Sequence, residues 1–327
     1  MAQEATETVM AAGATADGRA AAGRLGDAVD VEVERPLRVE VIAIFGPTAS
    51  GKSAVAEAVA DRLGTEVVSA DAMQVYRGLP ILTNQPARPT RLVGIRALGE
   101  EMSVGAFAAL AHAEIDEVVR ARGVAVVAGG TGLYLRAALA DLEVPPRADP
   151  ALRRRIEREV DADRATAHGR LSEVDPASAE AVHPNDRKRL IRALELAETG
   201  RSLVAGQERL WSGATRHPTL ICGLAVSSDV LERRIRERAD AMFEHGVVAE
   251  VRAALAEPLS RTAEKALGLS EIGQLEPREA LERIVVRTRR YAAYQRKWMR
   301  RIPGLVPLDG ERPAEAVADQ IVALAQR

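Results

Sequence analysis

The architecture is read from Val39-Glu40-Val41-Ile42-Ala43-Ile44-Phe45-Gly46-Pro47-Thr48-Ala49-Ser50-Gly51-Lys52-Ser53. Val39 to Phe45 is a short apolar, β-branched run, which reads as a buried strand. Gly46 to Ser53 fits G-x-x-x-x-G-K-S/T, and a helical pattern follows from Ser53 to Leu63. Strand, glycine-rich turn and helix form the context in which this motif cradles phosphate: backbone N–H groups and the helix N-terminus supply partial positive charge. Lys52 adds a point charge, and the Ser53 hydroxyl is a ligand for Mg²⁺. Any di- or triphosphate satisfies that geometry.

Outward from this unit, Glu66 to Ser69 reads as a second strand, Val104 to Arg122 as a helix, and Val124 to Ala128 as a buried strand ending in Gly129-Gly130-Thr131-Gly132. Strands alternating with helices imply an α/β fold with a parallel, P-loop-type sheet flanked by helices, in which ligands sit at the carboxyl ends of strands. Between Pro145 and Pro218 the sequence is charged and helix-periodic, with breaks expected at Pro150, Pro176 and Pro184. The expected organisation is a core of 36–144 and 219–327 with a helical insertion domain at 145–218. A strand returns at Thr219 to Val226, followed by a basic helix (Ser228 to His245), a long helix (Pro277 to Arg301) and a closing segment from Pro313. Residues 1–35 lack apolar periodicity and read as a disordered tail.

The chain has 327 residues, of which 47% are hydrophobic, 28% charged and 3% aromatic. That supports a real core and excludes a wholly disordered chain. No run approaches the ~18 apolar residues of a membrane span, and the N-terminus lacks signal-peptide character, so a cytoplasmic location is expected. Cys222 is the only cysteine, which excludes a disulfide framework. The net charge of -2 argues at first against a nucleic-acid partner. Residues 1–35, however, hold seven acids against three arginines, leaving the remainder net positive by two. Val285 to Arg301 holds Arg287, Arg289, Arg290, Arg296, Lys297, Arg300 and Arg301 without an acid. Four of the 45 basic residues are lysines, and arginine abundance by itself reads as a compositional bias of the gene.

Asp71 follows the second strand in Ser69-Ala70-Asp71-Ala72-Met73-Gln74-Val75-Tyr76-Arg77-Gly78. A carboxylate there holds Mg²⁺ or takes a proton from an acceptor group, or it is a helix N-cap; spacing leaves both open. With the P-loop and this segment, Gly129-Gly130-Thr131-Gly132-Leu133-Tyr134, His183-Pro184-Asn185-Asp186 leading to Arg189, Arg192-Ala193-Leu194-Glu195, and Thr288-Arg289 running to Gln295 and Trp298 occur in one order. Together, over residues of about 40 to 310, they resemble the tRNA dimethylallyltransferase family, which modifies adenosine 37 beside the anticodon in tRNAs reading codons that begin with U.

The resemblance implies that Gly46, Pro47, Thr48, Ala49, Ser50, Gly51, Lys52 and Ser53 bind the diphosphate of dimethylallyl diphosphate rather than ATP. Mg²⁺ on Ser53 is the implied cofactor. Asp71 matches the general base on the adenine N6 amine, Thr131 a contact to the target nucleotide, and Arg238 a diphosphate arginine. The alternative for Thr131 is a hydroxyl capping the next helix. The neighbours of Arg238 read as a solvated helix face. Implied contacts to the tRNA anticodon stem-loop are Asp71, Ala72, Met73, Gln74, Thr131, Arg153, Lys188, Arg189, Arg192, Lys265, Gly268, Gln295, Arg296, Lys297 and Arg300. The helical insertion closes over the stem, and the enzyme is expected to be a monomer.

Two segments depart from the family pattern. Thr83-Asn84-Gln85-Pro86 leads to Arg91-Leu92-Val93-Gly94-Ile95 without the family's His pair. Ala292-Ala293-Tyr294-Gln295 replaces Ala-Lys-Arg-Gln and loses both cations. Tyr294 reads as a core or interfacial aromatic, with base stacking as the alternative. Competing functions are a small-molecule or nucleoside kinase, which shares the P-loop and needs an ATP lid, and a non-catalytic RNA-binding P-loop protein.

Overall fold

The computed structural model describes residues 36–142, 149–204 and 212–327. The tail expected at 1–35 lies outside them, as do segments 143–148 and 205–211 at the two ends of the expected insertion. Among the described residues five strands form one sheet: β1 (Val41–Phe45), β2 (Val67–Ser69), β3 (Ala125–Gly129), β4 (Thr219–Ala225) and β5 (Val306–Asp309). Their order is β2-β3-β1-β4-β5, and every pairing is parallel. β1 is central, flanked in register by Ala125–Gly129 and Thr219–Gly223.

The alternation of side chains along a strand divides the core. Val41, Ala43 and Phe45 pack on one face with Val68, Val127, Phe107 and Leu135. Ile42 and Ile44 pack on the other with Val59, Cys222, Leu308 and Ile321. The first face is covered mainly by α3 (Val104–Arg122) and α4 (Gly132–Leu139), with Leu82 of the short α2 (Pro80–Thr83) in the same cluster, the second by α1 (Lys52–Leu63) and, at the end of the chain, α13 (Ala314–Ala325). α3 begins where the Ser103 hydroxyl accepts the Ala106 N–H at 3.1 Å, and it ends at Gly123 with φ 80°. Both are local signals that fix helix ends.

Downstream of Pro145 lie α5 (Pro150–Ala162), α6 (Arg164–Val174), α7 (Pro176–Ala181) and α8 (Arg187–Ala197). Each opens on an aspartate whose carboxylate accepts backbone N–H groups: Asp149, Asp163, Asp175 and Asp186. Pro150 and Pro176 are therefore helix starts rather than breaks, because proline fits the first helical position, where no N–H is needed. Pro184 lies between α7 and α8. These helices bury their own apolar cluster, including Ile156, Leu171, Leu190 and Leu194.

After β4 come α9 (Ser228–Glu244), α10 (Val247–Leu255), α11 (Leu269–Gln274) and α12 (Pro277–Met299). α9 packs against α12 through Leu231, Ile235, Ala239, Val285 and Ala292. The segment around Arg91 is stitched to the sheet edge: Arg91 exchanges backbone bonds with Val67 and Ser69 at 2.9 and 3.0 Å. Its guanidinium pairs with Glu66 at 2.8 Å and Glu114 at 2.6 Å.

Candidate active site

Three strand ends deliver the chemistry. β1 runs into the phosphate-type loop, β2 ends two residues before Asp71, and β3 ends two residues before Thr131. Ala49 and Gly51 take left-handed backbone conformations, with φ of 64° and 87°. Gly51 precedes α1 with no side-chain cap, so the first amides of a twelve-residue helix are left for an anion.

The loop is held from above. Gln295, 2% exposed, accepts the Thr48 N–H with its side-chain oxygen and donates its Nε2 to the Gly130 carbonyl, both at 2.8 Å. Arg238 Nη1 donates to Thr48 Oγ1 at 2.9 Å. The glycines at the end of β3 permit these approaches. A Cβ on Gly130 would lie 2.4 Å from Gln295 Nε2, and one on Gly132 would lie 2.3 Å from the Trp298 ring. Thr131 opens α4 without a side-chain cap bond; its Oγ1 instead meets the Tyr291 hydroxyl at 3.0 Å.

Thr48, Thr131, Arg238, Tyr291 and Gln295 line one cavity of about 460 Å³ together with Lys52, Ser53, Asp71 and Gln74. Ile235, Ala239, Met242, Leu267 and Ile284 supply aliphatic lining. Asp71 Oδ1 accepts from the amides of Met73 at 2.9 Å and Gln74 at 3.4 Å. Among the described residues Oδ2 has no protein partner. Asp71 thus caps a turn with one oxygen and keeps the other, so the two readings left open by its spacing are compatible. Burial pushes the Lys52 ammonium to a lower pKa; the Asp71 carboxylate opposes that shift and Arg238 adds to it. Burial likewise lowers Arg238, against Asp71. Tyr291 is pushed up to about 12 by burial and by the Asp71 charge, so its phenol stays protonated.

Ser53 and Asp71 also share a small adjoining cavity with Ser69 and Gln74. The Ser53 hydroxyl and the oxygens of a bound diphosphate make a donor set that suits Mg²⁺, which keeps several waters and takes few protein ligands, and this leaves the second Asp71 oxygen free of the metal. Among the described residues no group of three His, Cys, Asp or Glu side chains is placed to hold a metal by itself.

The remaining sequence candidates fall into three groups. Arg153, Arg192 and Lys265 line a second cleft with Arg154, Arg261 and Glu101. Arg153 and Arg192 both bind Glu195, 1% exposed, at 2.9 and 3.1 Å. Lys265 also lines the main cavity, which links the two. Lys188 and Arg189 are exposed on the first turn of α8, outside both. Gly268 caps α11 at φ 100° against Leu82 and Ile284. Ala72, Met73 and Gln74 form the cavity wall, Gln74 being fixed by bonds to Ser69 at 2.9 Å and Asn84 at 2.8 Å.

On α12 the basic stripe is partly neutralised by acids from other elements. Arg287 pairs with Glu271, and Arg289 with Glu232 at 3.5 Å. Arg296 donates to the Ser228 hydroxyl at 2.8 Å. Arg290, Lys297 and Arg300 are in no salt bridge among the described residues. In α9, Arg233 and Arg236 pair with Glu237 and Glu282 on the surface, while Arg238 turns inward. Sequence reading missed Tyr291 and gave Glu195 no role. The signal for Tyr291 was its place four residues before Gln295, on the same helix face.

Sequence comparison finds the family described as IPP transferase over residues 74–302 and Isopentenyl transferase over 39–96. A tRNA dimethylallyltransferase of Anaeromyxobacter dehalogenans (strain 2CP-C) is 39% identical over 296 residues, covering 86% of this chain and 99% of the relative. One from Salinispora arenicola (strain CNS-205) is 38% identical, covering 82% of each. Among solved structures, the full-length tRNA isopentenylpyrophosphate transferase of Bacillus halodurans matches with a TM-score of 0.62 at 31% identity, over 87% of this chain and 95% of that one. A eukaryotic dimethylallyltransferase acting on tRNA matches with a TM-score of 0.67 at 27% identity, over 83% and 73%.

Proposed function

The chain belongs to the IPP transferase family, and from that premise we propose how its own residues carry out the reaction. It is an enzyme that transfers a dimethylallyl group to tRNA. The donor is dimethylallyl diphosphate, and the acceptor is N6 of adenosine 37 in the anticodon loop of tRNAs that read codons beginning with U. The observation that carries this reading is the convergence of Lys52, Ser53, Asp71, Thr131 and Arg238 on a cavity with an aliphatic wall. A five-carbon allyl chain suits Ile235, Ala239 and Met242. The same surface gives a polar phosphoryl acceptor little to bind, which disfavours the kinase alternative.

The adenine leaves the stacked loop to reach the cavity, as a base must when its own atoms react. Thr131, ordered by Tyr291, holds the nucleotide. N6 forms a bond to the allylic carbon as the carbon–oxygen bond to diphosphate breaks, and the N6 proton passes to the free oxygen of Asp71. Lys52, Arg238 and the loop amides stabilise the charge that builds on the departing diphosphate. Mg²⁺ held by Ser53 and the diphosphate would supply further charge neutralisation. The helical segment downstream of Pro145 acts as the domain that closes over the anticodon stem, with Arg153, Arg192 and Lys265 on its cleft, and the enzyme works as a monomer in the cytoplasm. No helix of the described residues is long and apolar enough to cross a membrane.

The test is incubation with labelled dimethylallyl diphosphate, Mg²⁺ and unmodified tRNA with adenosines at positions 36 to 38. Label in the tRNA at position 37 supports the reading; phosphate transfer from ATP without prenylation replaces it with the kinase.

A further inference from the structure

Tyr294 is 54% exposed, so of its reading as a core or interfacial aromatic the core half is excluded. Among the described residues it is the one exposed aromatic side chain. The period of α12 places it on the stripe of Arg287, Arg290 and Tyr291, all of which line the main cavity, one turn further along the helix. Its ring meets Trp298 edge to face, with centroids 6.4 Å apart and planes at 74°. In such a contact at least one face of the tyrosine stays uncovered by its partner. Trp298 in turn is wedged against Gly132, where a Cβ would come within 2.3 Å of the indole. The ring is therefore pre-set on a rigid support at the cavity's edge.

Charge around it selects the partner. Arg290 and Lys297 flank Tyr294 with no salt bridge among the described residues, and no acid occurs from Val285 to Arg301. Cations that attract phosphate on either side of an open aromatic face match single-stranded nucleic acid, whose bases stack on such rings. We propose that Tyr294 is a stacking platform for an unpaired base of the tRNA loop, adjacent to the base that enters the cavity. The proposal rests on the tRNA-loop reading of the site. A stack, unlike a phosphate contact, is insensitive to salt.

Two measurements test it on the full-length protein. Tyr294→Ala is expected to raise KM for tRNA about tenfold, with Tyr294→Phe near wild type and KM for dimethylallyl diphosphate unchanged. Tyr294→Arg is expected to steepen the dependence of log affinity for tRNA on log salt by about 0.7, the value of one added phosphate contact. An anticodon stem-loop carrying 5-iodouridine at single loop positions should, under ultraviolet light, cross-link to the peptide containing Tyr294 from one of them. An unchanged KM for tRNA in Tyr294→Ala, no cross-link there, or an equal rise in both KM values with a lower melting temperature would overturn the proposal. Wild-type protein that prenylates no tRNA would instead overturn the reading of the site.

Discussion

The side-chain oxygen of Gln295 accepts the backbone N–H of Thr48 at 2.8 Å, tying α12 to a loop 247 residues away in sequence. Its amide nitrogen reaches the Gly130 carbonyl at the same distance. One buried amide thus fixes the phosphate-type loop to the end of β3, and the loop's geometry depends on a residue that sequence reading assigned to tRNA.

Gln295→Ala leaves the buried Gly130 carbonyl and the part-buried Thr48 amide without that partner, at a cost of about 1–3 kcal/mol for the carbonyl and less for the amide, which water in the cavity can reach. KM for dimethylallyl diphosphate should rise at least tenfold and the melting temperature should fall by several degrees, while tRNA affinity changes little. Steady-state kinetics with calorimetry checks this. A normal KM for the donor would mean that the loop keeps its shape without the clamp.

Asp71→Asn separates the two uses of that carboxylate. Asparagine keeps an oxygen to accept the Met73 and Gln74 amides, so the turn survives, but it accepts no proton. Turnover should fall by about 10²-fold or more with tRNA binding within a factor of about three. Single-turnover prenylation and a filter-binding assay read the two separately, and a loss of less than tenfold would remove Asp71 from the base role.

The contrast between these residues explains what could be read in advance. The loop, Asp71 and Thr131 were legible because each sits within two residues of a strand end, and a strand, its turn and its helix are encoded locally. The exact ends of α3 follow from Ser103 and Gly123 for the same reason. β5 was missed because Val306–Asp309 is four residues long and contains Pro307, which an edge strand tolerates but a pattern search does not expect. Short α10 and α11 carry too few turns for a clear period. The tasks of Gln295, Tyr291 and Glu195 were not legible at all, since each is defined by a contact between distant segments.

Glu195→Gln tests how Arg153 and Arg192 are held. The buried carboxylate takes both charge-assisted bonds, and glutamine presents an N–H₂ where one arginine needs an acceptor. Both arginines reach solvent, with side chains 42% and 28% exposed, so water recovers part of the loss. The expected destabilisation is about 1–2 kcal/mol, seen as a lower urea midpoint. KM for tRNA should rise several-fold with the donor's KM unaffected. An unchanged midpoint would show that the pair adds nothing to the packing of the α5–α8 helices.

The pH dependence of donor binding follows from Lys52. In the free protein burial and Arg238 hold its pKa below the ordinary 10.5, against the pull of Asp71. A bound diphosphate favours the ammonium and raises the pKa again. The complex therefore holds the proton more tightly than the free protein. Affinity should stay constant at pH values where Lys52 is charged in both states, and fall as pH rises through the free protein's lowered pKa. In that window binding takes up protons. Tyr291, pushed up to about 12, remains neutral there and contributes nothing. Calorimetric titration with dimethylallyl diphosphate from about pH 8 upward, in two buffers of different ionisation enthalpy, should report proton uptake that grows with pH. Lys52→Arg should abolish it, because a guanidinium stays charged in both states. Uptake that persists in Lys52→Arg, or is absent from the wild type up to the alkaline limit of folding, would exclude Lys52 as the titrating group.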